Sequence, residues 1–363
     1  MQNELALTMI KGIGDITIRN LISRFGTAED IFKAKRHQLE AIPGIGAKTA
    51  ELIINHSSFE RAEKELGFIE KYKIQPLFIT SEAYPKRLRN CVDAPVLLYF
   101  KGKANLNQQK VVAVVGTRNA TSYGKALCEE LMAGLQYHGV LVVSGLAYGI
   151  DVAAHQAALH QQLPTIGVLG HGLDRIYPAV HRKVAEQMLA NGGLLTEFPS
   201  ETNPDRPNFP KRNRIIAGMA DAVVVVEATR TGGALITAEI ANSYNKDVFA
   251  VPGRINDEFS DGCNFLIKTN RANMLTRAED LEYIMGWFDG ITPKRTQTPE
   301  LPLNLNTDEQ KIVEAIKQAE AIAIDDLQIK LGMQQSKLAM TLLDLEMQSI
   351  IVSLPGKIYR INR

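Results

Sequence analysis

The densest chemistry in this chain is the run Arg206-Pro207-Asn208-Phe209-Pro210-Lys211-Arg212-Asn213-Arg214-Ile215-Ile216-Ala217-Gly218. Residues 206–214 hold four cations and no acid. Pro210 suits the first turn of a helix whose buried face begins at Ile215-Ile216. Lys211, Arg212 and Arg214 then lie in or near that first turn, where the helix dipole disfavours each cation by roughly 0.3–1 kcal/mol. Cations are stable at that pole when an anion lies against them, because amides, dipole and side chains then act together. Phe209 offers a face on which a nucleobase stacks, a contact worth about 1–3 kcal/mol in single-strand binders. The pattern assigns Lys211 and Arg212 to a ligand. It leaves Arg214 open between that ligand and an inward pairing with Glu197, Glu227 or Asp221.

Three further loops belong to the same argument. Val115-Gly116-Thr117-Arg118-Asn119 stands where a dinucleotide fingerprint would, but the GxGxxG spacing fails at Arg118. An arginine at a strand end instead presents a planar, permanently charged fork suited to phosphate. Ser144, Asp151 and His155 suggest a hydrolase triad, yet Ser144 lacks the GxSxG elbow. Asp151 and His155, one helical turn apart, are expected to pair with each other. Ser144-Gly145 reads as a small-residue gap whose hydroxyl and amides face a ligand. Thr231-Gly232-Gly233-Ala234 opens a helix after a strand and frees the backbone to meet a phosphate or sugar. There is no GxxxxGK[ST] run, and His155 and His160 lack metal-ligand spacing, so neither a P-loop nor a metal site is expected.

These loops need a scaffold, and the sequence supplies one. Apolar runs at 111–115, 141–143, 165–169, 194–196, 222–226 and 247–251 alternate with helical stretches. That is the pattern of a parallel sheet buried on both faces, with the ligand outside the carboxyl ends of the strands. Pro95-Val96-Leu97-Leu98-Tyr99-Phe100 reads as one more strand before a Lys101-Gly102 turn. We divide the chain into a helical segment 1–80, a sheet domain 81–288, a linker 289–306 and a last domain 307–363. The first segment repeats an apolar-Gly-apolar-Gly turn, at Ile10-Lys11-Gly12-Ile13-Gly14 and at Ile42-Pro43-Gly44-Ile45-Gly46-Ala47-Lys48. Such turns resemble tandem helix-hairpin-helix units, whose helix-start amides hold phosphate without reading bases. This marks Gly12, Gly14, Gly44, Gly46 and Lys48. The last domain reads as three helices and a hairpin around Pro355-Gly356, a winged-helix pattern, with Thr307 and Gln310 as the capping box of its first helix. Seven Lys/Arg against eight Asp/Glu leave it at −1, which fits a protein contact or a structural role better than a DNA groove.

Composition bounds the rest. The net charge of +1 gives no global field, so any anion site is built locally. Three scattered cysteines exclude a disulfide framework or zinc ribbon. No stretch is apolar enough to span a membrane and residues 1–30 carry charges throughout, so a cytoplasmic setting is expected.

Taken together, 115–118, 144–155, 209–218 and Val251-Pro252-Gly253 resemble the DprA/Smf family of DNA-processing proteins. The resemblance implies an α/β protein: an extended Rossmann-like sheet domain flanked by a helix-hairpin-helix (SAM-like) domain and a winged helix. It implies single-stranded DNA binding, self-association (a homodimer), and delivery of the strand to the RecA recombinase during natural transformation, with no catalysis and no cofactor. Carried over by motif, the strand would meet Gly116, Thr117, Arg118, Ser144, Gly145 and Phe209 through Arg214, including Asn213, with Gly232 and Gly233 more loosely attached. A second likeness is to the lonely-guy nucleotide phosphoribohydrolases, through Thr231 to Glu239; Thr231 replaces that motif's proline and Ile236 its threonine. A third reading is a DNA-dependent scaffold whose winged helix recruits proteins.

Overall fold

The computed structural model describes residues 1–287, 305–319, 321–348, 350–354 and 357–361. It divides into two compact units, Met1–Asp289 and Gly290–Arg363. In the first, nine strands form one sheet: β1 (Gln75–Phe78), β2 (Leu97–Gly102), β3 (Val111–Val115), β4 (Leu141–Ser144), β5 (Thr165–Val168), β6 (Gly193–Thr196), β7 (Ala222–Val225), β8 (Asp247–Ala250) and β9 (Asn273–Met274). Their order is β1-β2-β6-β5-β4-β3-β7-β8-β9. From β6 to β9 all pairings are parallel, whereas β1 and β2 join antiparallel. Alternation along β3 divides its side chains between two cores. Val111, Ala113 and Val115 pack on one face, and Val112 and Val114 on the other. Every residue of this strand is buried, which is why it reads as a continuous apolar run.

Six of these strands coincide with the apolar runs of the sequence. Two expectations change. The segment 1–80 is not purely helical, because β1 lies inside it; Pro76 is tolerated there because β1 is the edge strand. Nor does the structure divide at residue 80. Leu5, Ile18, Ile31 and Ile53 belong to the same apolar cluster as Leu98, Val111 and Ile215, so one continuous core spans the helices and the sheet. Lys101-Gly102 extends β2 rather than turning the chain.

The N-terminal helices repeat one geometry. Gly12 and Gly44 hold φ of +89° and +85°, where a side chain is strained, and Gly14 and Gly46 cap the helices Asp15–Phe25 and Ala47–Ile54.

The second unit packs helices Thr307–Ala319, Ile324–Leu331 and Gln335–Met347 against β10 (Ala321–Ala323), β11 (Ile351–Leu354) and β12 (Ile358–Ile361), ordered β10-β12-β11. Its first helix starts one residue earlier than the sequence reading puts it. Asn306 Oδ1 accepts from the amides of Asp308 and Glu309 at 3.0 and 2.9 Å, and the Asn306 amide donates to Glu309 Oε2 at 2.7 Å. The capping box is therefore Asn306/Glu309, not Thr307/Gln310. The short β10 carries no sequence signal beyond three residues. Of the expected linker, residues 289–304 lie outside the described residues, as does the Pro355-Gly356 turn. Among the described residues no helix is long and apolar enough to cross a membrane.

The continuous core makes a testable statement. Truncating the fully buried Leu5 to Ala should cost about 2–5 kcal/mol. Because the sole tryptophan, Trp287, packs on the opposite face of the sheet, its fluorescence transition in urea should move to lower denaturant with the same variant. An unmoved Trp287 transition would mean that the N-terminal helices unfold separately.

Candidate functional site

In this sheet β3 is flanked by β4 on one side and β7 on the other, which makes their carboxyl ends the topological switch point. A cleft of about 650 Å³ opens there. Its floor is the turn after β3, and packing fixes that turn. A Cβ on Gly116 would lie 2.4 Å from Ile150 Cγ1, and one on Gly149 (φ +79°) 2.1 Å from the Thr117 carbonyl. The Thr117 amide donates to the Glu227 carbonyl at 2.7 Å, and the Ile150 amide to the Thr117 carbonyl at 3.1 Å. Gly116 and Thr117 line the cleft with Arg118.

Arg118 is exposed, and among the described residues no carboxylate lies within ion-pair distance of it. Its guanidinium sits 5.6 Å from the centre of the Phe209 ring. The Tyr177 ring follows at 6.3 Å from Phe209. Phe209 thus has a cation and a second aromatic ring beside it at the cleft wall.

Phe209 belongs to the helix Asn208–Met219, and helical spacing divides that helix's charges. Phe209, Arg212, Asn213 and Ile216 line the cleft. Lys211 and Arg214 fall on another face. Arg214 reaches Glu197 and the Asp93 carbonyl, with Asp15 Oδ2 at 3.4 Å. The alternative left open for Arg214 resolves inward. Lys211 is exposed but does not line the cleft, and its charge acts on Glu197. The second cation of the cleft rim is instead Arg206, part of the same basic run.

Arg212 sits in the cleft wall, but its guanidinium is buried. Nη1 donates to the Val168 carbonyl at 3.0 Å, and Nε has no partner. Burial draws its pKa below the usual value, against the opposing pull of Asp151. The same burial raises the Asp151 carboxyl, against Arg212 and the Ala147 amide, which donates at 3.3 Å. Gly145 allows this approach: a Cβ there would lie 1.9 Å from Arg212 Nη1 and 2.2 Å from Asp151 Oδ2. The glycine therefore serves the arginine rather than presenting its amide to a ligand.

Ser144 and the expected Asp151–His155 pair are corrected outright. Ser144 is fully buried and its Oγ donates to the Val114 carbonyl at 2.6 Å, so the hydroxyl does not face the cleft. His155 Nε2 donates to the Gly145 carbonyl at 2.6 Å, and Nδ1 then accepts from Thr165 Oγ1 at 2.7 Å. Burial holds this imidazole near pKa 4, so it stays neutral, and no triad forms.

Gly232 caps the helix Gly233–Ser243 at the far wall, with open space where a Gly233 side chain would stand. Asn213 Nδ2 bridges to the Gly233 carbonyl at 3.5 Å. Glu239 lies outside the cleft, half exposed and paired with Arg271 at 3.0 Å. The two hairpins also differ. Asp15 occupies the first helix start and accepts from the Val96 amide at 3.0 Å, tying Gly12-Gly14 to the sheet. The glycines of both turns, Gly12, Gly14, Gly44 and Gly46, are exposed, but only the second is followed by an exposed cation, Lys48. Sequence reasoning misses Arg206, Gly149 and Tyr177. Arg206 lies within the basic run and Gly149 within a quoted motif, whereas Tyr177 carries no signal.

With the geometry in place, comparison with known proteins is informative. A model of the DNA recombination-mediator protein A family matches residues 75–285. The chain belongs to that family. A SAM-like helix-hairpin-helix tandem matches 4–57, and the DprA winged helix domain 296–357. Protein Smf of Synechocystis is 32% identical, covering 98% of this chain and 97% of its own. The DNA processing protein DprA of Streptococcus pneumoniae is 41% identical over 58% of this chain and 74% of its own. The X-ray structure of DprA from that organism superposes with a TM-score of 0.66, 32% identity, and coverage of 78% and 97% of the two chains. DNA processing protein A of Helicobacter pylori, with a TM-score of 0.54 and 30% identity, covers 59% of this chain and 96% of its own; its structure concerns a unique single-stranded DNA binding mode. The fold expected from the sequence, a mostly parallel sheet with a helix-hairpin-helix segment and a winged helix, is the family's fold.

The charge arrangement behind the cleft predicts a pH effect. Burial lifts the Glu197 carboxyl from 4.5 to about 7, against the pull of Arg214. A raised folded-state pKa gives stability that is complete below about 4.5 and lost as pH rises through about 7. The loss should be on the order of 3 kcal/mol. Glu197→Gln should flatten the fall in urea-unfolding free energy between pH 5 and pH 8 by roughly that amount. A slope identical to wild type would show that Glu197 is ionised throughout.

Proposed function

We propose that this chain binds single-stranded DNA non-catalytically along the cleft at the β3/β7 switch point. The observation that carries the reading is Arg118, an exposed guanidinium without a carboxylate partner among the described residues, set over the Phe209 ring. A charged fork beside an aromatic face suits a phosphate and its neighbouring base, and gives little sequence preference. Arg206 and the Gly232-Gly233 helix start add anion-binding groups along the same cleft. In this reading Gly116 and Thr117 shape the floor, Arg212 and Gly145 hold the wall, and Asn213 contacts the strand. Ser144, Lys211 and Arg214 are outside the contact surface. The single-stranded DNA mode described for the Helicobacter relative supports the ligand class. Family membership supports the wider role: self-association as a dimer, delivery of the strand to RecA, and DNA uptake in transformation. Gly44, Gly46 and Lys48 are the better candidates for auxiliary phosphate contacts, since an acid, Asp15, follows Gly12 and Gly14 while the exposed cation Lys48 follows Gly44 and Gly46.

A phosphoribohydrolase finds no support in the geometry, because the motif's carboxylate, Glu239, points out of the cleft to Arg271.

Fluorescence anisotropy with a labelled oligonucleotide tests the proposal. Arg118→Ala should weaken binding and lower the slope of log affinity against log salt by roughly 0.7. Phe209→Ala should cost about 1–3 kcal/mol with the slope nearly unchanged. Lys211→Ala should move neither quantity. Wild-type binding by both cleft variants would end the assignment.

A further inference from the structure

The aromatic surface beside the cleft continues past Tyr177. Phe209, Tyr177 and Tyr148 together line a smaller cavity of about 60 Å³, which shares Arg118 and Ala147 with the cleft itself. Tyr148 is 52% exposed, and a single exposed tyrosine needs no explanation. What distinguishes this one is how it is held. Its ring meets the buried His181 ring edge-on, 5.1 Å between centres, and His181 Nδ1 donates to the Leu146 carbonyl at 2.9 Å. The next residue, Gly149, packs on the Thr117 carbonyl of the cleft floor. The ring is fixed in place with half its surface in solvent, which suits a stacking platform better than a core residue.

Charge lies just beyond it. His181 is followed at once by Arg182 and Lys183, both exposed, at the start of the helix Arg182–Met188. Among the described residues neither has a carboxylate within ion-pair distance, although Glu186 stands four and three residues further along the same helix. The ion pair of the preceding loop, Arg175 with Asp174, involves neither. Two unpaired cations thus follow a fixed aromatic ring at the carboxyl ends of β4 and β5. Inside the cleft the same two groups meet as Arg118 and Phe209.

We propose that the bound strand leaves the cleft over Tyr148, with one further base stacked on that ring and the phosphates beyond it met by Arg182 and Lys183. The inference rests on the strand-binding reading of the cleft and lengthens its footprint towards β5. The chemistry selects this occupant. A fixed aromatic ring beside unpaired cations suits an alternation of base and phosphate, whereas an acidic peptide would answer the cations and leave the ring without a flat partner. A ring reads the face of a base and not its edge, so the added contact brings affinity without sequence preference. Affinity should therefore rise with strand length until the strand spans both cation groups.

Anisotropy with labelled oligothymidines of two lengths, about 4 and about 16 nucleotides, tests it in the full-length chain. Tyr148→Ala should weaken the longer strand roughly tenfold, the loss of one stacked base, and leave the shorter one unchanged. Tyr148→Phe should bind both as wild type does, because the ring and not the hydroxyl makes the contact. Arg182→Gln together with Lys183→Gln should lower the salt slope for the longer strand by roughly 1.4, as two lost phosphate contacts require. Both of these side chains are exposed, so the double variant keeps the test decisive if thermal melting shows that Tyr148→Ala disturbs its loop. Equal losses at both lengths, or none at either, would overturn the longer footprint. Arg118→Ala separates the two claims. If it weakens both strands while the Tyr148 and Arg182/Lys183 variants weaken neither, the extension alone fails; if it too is without effect, the cleft reading fails first.

Discussion

The cleft depends on one buried guanidinium. Arg212 is anchored on the Val168 carbonyl at the end of β5 and lies against Asp151 on the helix that follows β4. A single side chain therefore ties the helix Asn208–Met219 to two neighbouring elements of the sheet's carboxyl edge. Phe209 and Asn213, which share that anchor's face of the helix, reach the cleft as a consequence. The arrangement is costly, because a buried charge needs compensation and the Arg212 Nε is unpaired. Its geometry is tolerated only because Gly145 has no side chain.

The neighbouring arginine does the complementary work. Arg214 turns to Glu197, Asp15 and the Asp93 carbonyl, so the same helix is bound on its other side to the N-terminal hairpin. Arg19 adds to this junction through the Cys91 and Val92 carbonyls, at 2.8 and 2.9 Å. The helix is thus held between two fixed bodies, with only its cleft face and Lys211 left to solvent. That explains why the segments 1–80 and 81–288, read as separate along the sequence, share one core. The two hairpins differ accordingly: the first ties Asp15 to the Val96 amide, and the second carries the exposed Lys48.

Much of this is legible from residue types alone. Strands buried on both faces announce themselves as unbroken apolar runs, so β3 to β8 and the position of the cleft follow directly. What the sequence does not express is direction. Four cations within nine residues mark an anion site, but within a single helical turn they divide between the cleft, the core and solvent. Arg206 therefore takes the place given to Lys211, beside the Arg118 already expected there. Ser144 misleads for a related reason: a hydroxyl at a strand end looks available, yet the neighbouring Val114 carbonyl needs a donor. Short edge strands such as β1 and β10 escape the sequence because three or four residues give no period to read.

The same geometry bears on which nucleic acid suits this chain. A net charge of +1 supplies no long-range attraction, so the proposed binding would draw its affinity from contacts inside the cleft. Arg118 and Arg206 would answer phosphates of any strand, but Phe209 and Tyr177 offer flat faces that only an unstacked base can use. In a duplex those base faces are occupied by their neighbours. The proposed preference for single strands therefore rests on the Phe209–Tyr177 pair rather than on charge.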